Sequence, residues 1–406
     1  MNPRLKRILI IAGFIGFIVL VAVLIATVLF RSPDVTPNVD PTTPGTLPGS
    51  TGSLPSATPG SPTVVPDGTG SQTPGVLQPS QFADGGVTLI TQLTSSTIVS
   101  SNVTGNEISY YDPADGRFYT IDASGNVNAL STASFPSAET VVISDDAKAA
   151  AVEFPDGSNV IYDFTQESQI TLPNHWEDFD FSPQSDEVVT KSIGVDPANR
   201  SLLTTSVDGS STDVLLALGL NADKVTVNWS PNGRILGFSE TGLAQIGFGR
   251  KQIFLIGSSG DEVGAIVTEG GNFEAKWSPE GNHVLYSVAY VANDSRPSLW
   301  YTNATGSVDT QRKKFSVETW VDKCTFYNSE TIYCGVPREV PDQSGYDHNS
   351  VRSADDLYAI DLATGRETII ATPAIDVQMF DLFVSSDQST LYFSDAGGRL
   401  NSIQLR

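Results

Sequence analysis

Apolar and polar positions along most of this chain alternate in short runs, and the clearest runs come in pairs about a tight turn. Trp229-Ser230-Pro231-Asn232-Gly233 recurs 48 residues later as Trp277-Ser278-Pro279-Glu280-Gly281. In each copy an apolar run ends in an aromatic residue, a Pro-x-Gly turn follows, and a second apolar run begins (Ile235-Leu236-Gly237-Phe238; Val284-Leu285-Tyr286). This pattern predicts a β-hairpin: proline pre-sets φ, glycine takes the positive φ, and the serine hydroxyl bonds to nearby backbone. A lone hairpin cannot bury its apolar face, so a repeated one implies copies packed side by side.

Weaker copies extend the series. Phe181-Ser182-Pro183 keeps the aromatic-Ser-Pro, while Ile143-Ser144-Asp145-Asp146-Ala147 and Val384-Ser385-Ser386-Asp387-Gln388 keep the turn chemistry without proline. Phe326-Tyr327-Asn328-Ser329-Glu330 and Val103-Thr104-Gly105-Asn106-Glu107 complete seven anchors. The second half of each repeat carries its own signal. Six segments alternate apolar and polar residues and turn at a Gly or polar pair: Arg117–Gly125, Asn159–Phe164, Ser201–Gly209, Gln252–Gly257, Ser298–Asn303 and Asp356–Gly365. The expected fold is all-β, a seven-bladed propeller of four-stranded blades over residues 81–406. The seventh repeat runs one strand short, and Val87–Leu93 is expected to complete it from the N-terminal side.

Upstream, the pattern changes twice. Ile8–Phe30 is an unbroken apolar run without a charge, long enough to span a bilayer as a helix. Arg4, Lys6 and Arg7 precede it and only Arg31 follows, which places residues 1–7 in the cytoplasm and the rest outside. Residues 31–80 are rich in Pro, Gly, Ser and Thr and cannot bury enough surface to offset chain entropy, so they are expected to form a disordered tether. The expected location is the cell membrane, single-pass, with an extracytoplasmic propeller.

The aromatic-Ser-Pro-x-Gly hairpins, each followed by a Leu/Tyr strand and a Leu-Tyr-x-Ile-Asp-like hairpin (Leu357-Tyr358-Ala359-Ile360-Asp361), resemble the TolB-type, WD40-like propeller repeat. The resemblance covers residues 86–406, is strongest at Trp229 and Trp277, and lacks the Gly-His and Trp-Asp dipeptides of true WD40 repeats. It implies a binding platform, or the propeller half of a prolyl-peptidase-like hydrolase. Because the repeats run to the last residues of the sequence, the binding platform is the expectation and a hydrolase domain is not.

Charge narrows the partners. The formal net charge is −23, and the basic residues near the N-terminus make the remainder more acidic still. Nucleic acid is disfavoured, because phosphate binding rests on clustered Lys and Arg. The two cysteines, Cys324 and Cys334, flank an Asn328-Ser329-Glu330 turn that sets them opposite each other across a hairpin, and a disulfide is expected in an oxidising compartment.

Candidate chemistry is sparse. Only His175, His283 and His348 occur, without metal-ligand spacing, and no G-x-S-x-G elbow is present. Asp112-Pro113-Ala114-Asp115-Gly116 reads as a turn, since it lacks the alternating ligands of a calcium loop. No cofactor or metal is expected. Insertions Ile193–Arg200, Thr241–Lys251, Ala289–Pro297 and Gly335–Asp355 all fall between second and third strands, which crowds them onto one rim. The last contains Arg338, Tyr346, Asp347, His348 and Arg352, residue types enriched at binding hot spots. The expectation is a non-catalytic binding or scaffolding module for an envelope or cell-surface protein, peptide or glycan. The alternative is a lactonase-like or glycan-active enzyme using acidic residues and a cation at the central channel.

Overall fold

The structure is a computed structural model that describes residues 78–247, 249–304 and 312–406. Residues 1–7, the apolar run Ile8–Phe30 and nearly all of the Pro/Gly/Ser/Thr-rich stretch lie outside the described residues. No helix among the described residues is long and apolar enough to cross a membrane.

Seven antiparallel sheets follow one another along the chain as blades, spanning residues 99–129, 140–172, 176–217, 225–269, 271–314, 324–373 and 380–404. First strands lie side by side from blade one through blade four and from blade six through blade seven back to blade one, while side chains of blades four, five and six share buried clusters, so the ring is closed. All seven anticipated hairpins form the first two strands of a blade.

The repeat turn works through its serine. Ser230 Oγ accepts the Ile235 N–H at 2.9 Å, and Ser144, Ser182, Ser278 and Ser385 each accept the equivalent N–H five residues on. The fifth turn position is left-handed in every one of these copies: glycine at 233 and 281, but Ala147, Ser185 and Gln388 elsewhere. The buried serine is therefore the constant feature, and glycine relieves strain where it occurs.

Between blades, the sheets bury mixed apolar and aromatic wedges. Phe238 of blade four stacks on Trp277 of blade five with ring centroids 5.3 Å apart, and Phe118 of blade one meets Phe164 of blade two at 4.9 Å. Tyr392 and Leu400 of blade seven pack with Ile108 and Ile121 of blade one. Each such fully buried side chain contributes about 1.5–3 kcal/mol.

Closure differs from expectation in one respect. The run Val87–Leu93 is two strands, not one. Val87–Thr88 pairs in parallel with Thr372 and Pro373 at the outer edge of blade six, which gives that blade a fifth strand. Thr91–Gln92 pairs antiparallel with Ser402 and Asn401 and completes blade seven. One straight strand cannot follow two sheets rotated about the axis, so the chain breaks at Leu89-Ile90, where Ile90 packs into the cluster holding Leu391 and Ile403. The insertion at Ala289–Pro297 is also shorter than its sequence suggests. Its flanking strands continue to Tyr290 and resume at Arg296, leaving five residues between them. Cys324 and Cys334 pair directly across the first two strands of blade six, with Cα atoms 4.1 Å apart and sulfurs at bonding distance.

Candidate functional site

Strand order assigns the loops to faces. Turns joining first to second and third to fourth strands share one end of the ring; second-to-third loops and blade-to-blade connections share the other. The insertions 193–200, 240–249 and 338–354 therefore lie on one face, together with the connection Gly219–Lys224 from blade three to blade four.

The longest insertion is ordered and folds inward. Its turn Ser344–Tyr346 is bound to blade five: the Gln343 N–H donates to Asp294 O at 2.7 Å, the Gly345 N–H to Ser295 O at 2.9 Å, and Asn272 Nδ2 to Gly345 O at 3.2 Å. Gly345 is required here, because a Cβ would stand 2.6 Å from Ser295 O and 2.8 Å from Ala289 Cα. Arg296 clamps the same segment through Asp342 at 2.7 Å. The following turn, His348–Ser350, carries its histidine toward the axis.

At that mouth of the channel a network of charges meets. Glu274 and Lys276 come from the first strand of blade five, Asp322 and Lys323 from the turn leading into blade six, and Asp381 from the first strand of blade seven. His348 Nδ1 lies 2.7 Å from Asp322 Oδ2, and its ring is flanked by Trp320 and Phe380. The hydrogen bond to Asp322 raises the His348 pKa above its ordinary value, burial opposing and the Asp322 and Glu274 charges assisting. Burial, then repulsion from Asp322, raises Glu274. Asp381 is raised by burial as well, with Lys276 pulling the other way. Lys276 is lowered by burial and donates to Cys324 O at 2.7 Å.

Beneath these groups lies a fully enclosed pair. Lys323 Nζ donates to Asp355 Oδ2 at 2.6 Å, with the two side chains 1% and 0% exposed. The same carboxylate oxygen accepts the Met379 N–H at 2.6 Å, and the ammonium sits 4.3 Å from the Phe380 ring centre. Burial raises Asp355, against the pull of Lys323. Of the four acids here, Asp322 and Asp355 are ion-paired, to His348 and Lys323, while Glu274 and Asp381 have cations nearby without an ion pair at contact distance. No group of three or more His, Cys, Asp or Glu suited to a metal occurs among the described residues.

The sequence-derived site residues thus separate. Arg338 is held by Asp356 and Asp376, each at 3.0 Å. Asp347 caps the turn it begins, accepting the Asn349 N–H at 2.9 Å, and His348 points to the axis. Tyr346 and Arg352 remain on the surface, Tyr346 beside a cavity of about 340 Å³ shared with Val291 and Asp294. Elsewhere, His283 is half-buried and stacks on Tyr301 at 5.0 Å, and Asp112-Pro113-Ala114-Asp115-Gly116 is a turn whose carboxylates accept the Ala114 and Arg117 N–H groups.

Other residues on this face were not anticipated. Val195 and Ile246 are 98% and 97% exposed at the tips of the blade-three and blade-four insertions, and Leu220 and Leu243 are 77% and 75% exposed beside them. The readable signal was an apolar residue inside a polar insertion, as in Gly194-Val195-Asp196 and Gln245-Ile246-Gly247. Lys323 and Asp355 gave no such signal, since nothing local marks a charge that will be enclosed by a strand 32 residues away.

No protein-family profile matches the sequence, and no curated protein does. Solved structures do. A chain in the crystal structure of the Mitotic Checkpoint Complex aligns with TM-score 0.54 at 14% identity, covering 83% of this chain and 96% of that one. An oligogalacturonate lyase of Vibrio parahaemolyticus aligns with TM-score 0.50 at 10% identity, covering 78% and 93%. The Cps50 (Swd1) β-propeller domain of Myceliophthora thermophila aligns with TM-score 0.50 at 10% identity, covering 78% and 100%. The likeness is one of fold alone: a seven-bladed propeller.

The His348–Asp322 contact has a pH signature. A folded pKa raised above the unfolded value of 6.5 means that the contact stabilises the fold fully below that value and is lost as pH rises through the folded pKa. The difference in urea midpoint between the wild type and His348→Gln should therefore be largest near pH 6 and shrink toward pH 9. A difference that grows with pH would contradict the assignment.

Proposed function

We propose that this chain is a membrane-tethered, extracytoplasmic propeller of the TolB-type, WD40-like kind that binds an envelope or cell-surface protein through its insertion-bearing face, without catalysis. One observation carries the reading. Every strongly exposed large apolar residue in a loop within or between blades (Val195, Leu220, Leu243, Ile246, Tyr346 and Ile375) lies on that face, and none lies in the opposite turns among the described residues. Exposed apolar residues gathered on one face support an interaction surface there. The non-catalytic part of the reading is supported by the ion pairs that two of the axial acids, Asp322 and Asp355, make within the fold. Tethering is supported by the run Ile8–Phe30 and its flanking charges.

The test is site-specific photo-cross-linking of the full-length protein in its native membrane. Probes at Val195 and Ile246 should yield one discrete adduct that Leu220→Asp abolishes, and a probe at Asn232, on the turn face, should yield none. Equal adducts from all three positions, or none from any, would overturn the proposal.

A further inference from the structure

Between blades six and seven the insertion-bearing face holds a cleft of about 210 Å³, distinct from the apolar tips of blades three and four. Three segments build it: the end of the long insertion (Arg352, Ala354), the connection from blade six to blade seven (Asp376, Gln378), and the second-to-third loop of blade seven (Asp395, Arg399). Two arginines, Arg352 and Arg399, line it with two aspartates, Asp376 and Asp395, and Arg338 reaches Asp376 from outside the lining. Arg338 spans Asp356 and Asp376, each at 3.0 Å, and Arg399 takes Asp395 at 2.8 Å. Asp395 is saturated further by the Gly397 and Arg399 N–H groups at 2.8 and 3.0 Å.

Arg352 is the exception. It is exposed, it lines the cleft, and it has no ion-pair partner among the described residues. What distinguishes it from the chain's other arginines without an ion pair is its place on the wall of a cleft, where its donors are available to a ligand. Asp376, 85% exposed, uses one oxygen on Arg338 and leaves the other open. The cleft therefore offers a planar double donor on one side and an anionic acceptor on the other. A doubly charged phosphate would meet repulsion from Asp376, whereas a singly charged carboxylate bearing hydroxyl groups satisfies both walls. The volume, about that of seven waters, admits a molecule of that size.

We infer that this cleft binds a small hydroxylated monocarboxylate, with Arg352 gripping the carboxylate and Asp376 accepting from its hydroxyls. The inference is independent of the protein partner proposed above, since neither Arg352 nor Asp376 belongs to the apolar set. It is tested with gluconate as the probe, by saturation-transfer NMR and calorimetry on the full chain in detergent. Glucose and inorganic phosphate serve as the neutral and dianionic controls. Gluconate should bind, and Arg352→Gln should weaken it about tenfold or more, as expected for loss of a charge-assisted pair of hydrogen bonds. Arg352→Lys should recover part of the loss. No binding of gluconate, equal binding by Arg352→Gln, or tighter binding of phosphate or glucose would each overturn the inference. Arg352 is exposed and unpaired, so its substitution leaves the fold intact, and an unchanged thermal transition verifies this.

Discussion

Replacing Lys323 by methionine is expected to lower the unfolding free energy by about 3–5 kcal/mol, because it leaves the Asp355 carboxylate buried without a countercharge. The pair is fully enclosed, 2.6 Å long, and ties two blades together: Lys323 leads into blade six, Asp355 opens that blade's third strand, and the Met379 N–H that Asp355 accepts precedes blade seven. The double variant Lys323→Met, Asp355→Asn should recover most of the loss, since asparagine still accepts from Met379 and carries no charge to strand. Urea unfolding followed by tryptophan fluorescence measures both. A single-variant cost below about 1 kcal/mol, the range of exposed pairs, would show that water reaches this site.

The second large effect is expected at the repeat itself, and it is unequal between copies. Trp277 is buried, stacks on Phe238 of the neighbouring blade at 5.3 Å, and donates its indole N–H to Asn228 O at 3.2 Å. Trp277→Ala removes a large core side chain and should cost about 3–5 kcal/mol. Trp229 is only partly buried, at the margin of the cluster formed by Val189, Leu202 and Leu236, and its indole nitrogen meets no acceptor among the described residues. Trp229→Ala should cost about 1–2 kcal/mol, as for a side chain that leaves less of a cavity. Equal losses, measured as shifts in urea midpoint, would mean that the two blade interfaces pack alike.

That contrast shows where sequence patterning stops. The period-two alternation and the Ser-x-x-Gly turn chemistry are local, so hairpins such as Phe326–Glu330 and Val103–Glu107, far from the best copies, were legible from the chain alone. Loop lengths were legible too, and with them the face on which 193–200, 240–249 and 338–354 lie. The fate of individual side chains in those loops was not. Arg338 and His348 look like free recognition residues in sequence, but each is claimed by a carboxylate brought from elsewhere, Asp376 in one case and Asp322 in the other. Such pairings are long-range, and composition holds no record of them. The apolar tips Val195 and Ile246 are visible in sequence, but a single apolar residue in a polar loop is a weaker signal than the residue types that usually dominate interfaces.

The closing of the ring has a kinetic consequence. Thr94 accepts the Leu400 N–H across a separation of 306 residues, and Val87–Thr88 waits on the outer strand of blade six. During synthesis the opening residues cannot find these partners until nearly the whole chain has emerged, and contacts so distant along the chain form slowly. Until then the first blade stands without its neighbour, with Ile108 and Ile121 uncovered on the side that Tyr392 will later seal. The protein is therefore most vulnerable to misassociation just before blade seven is made.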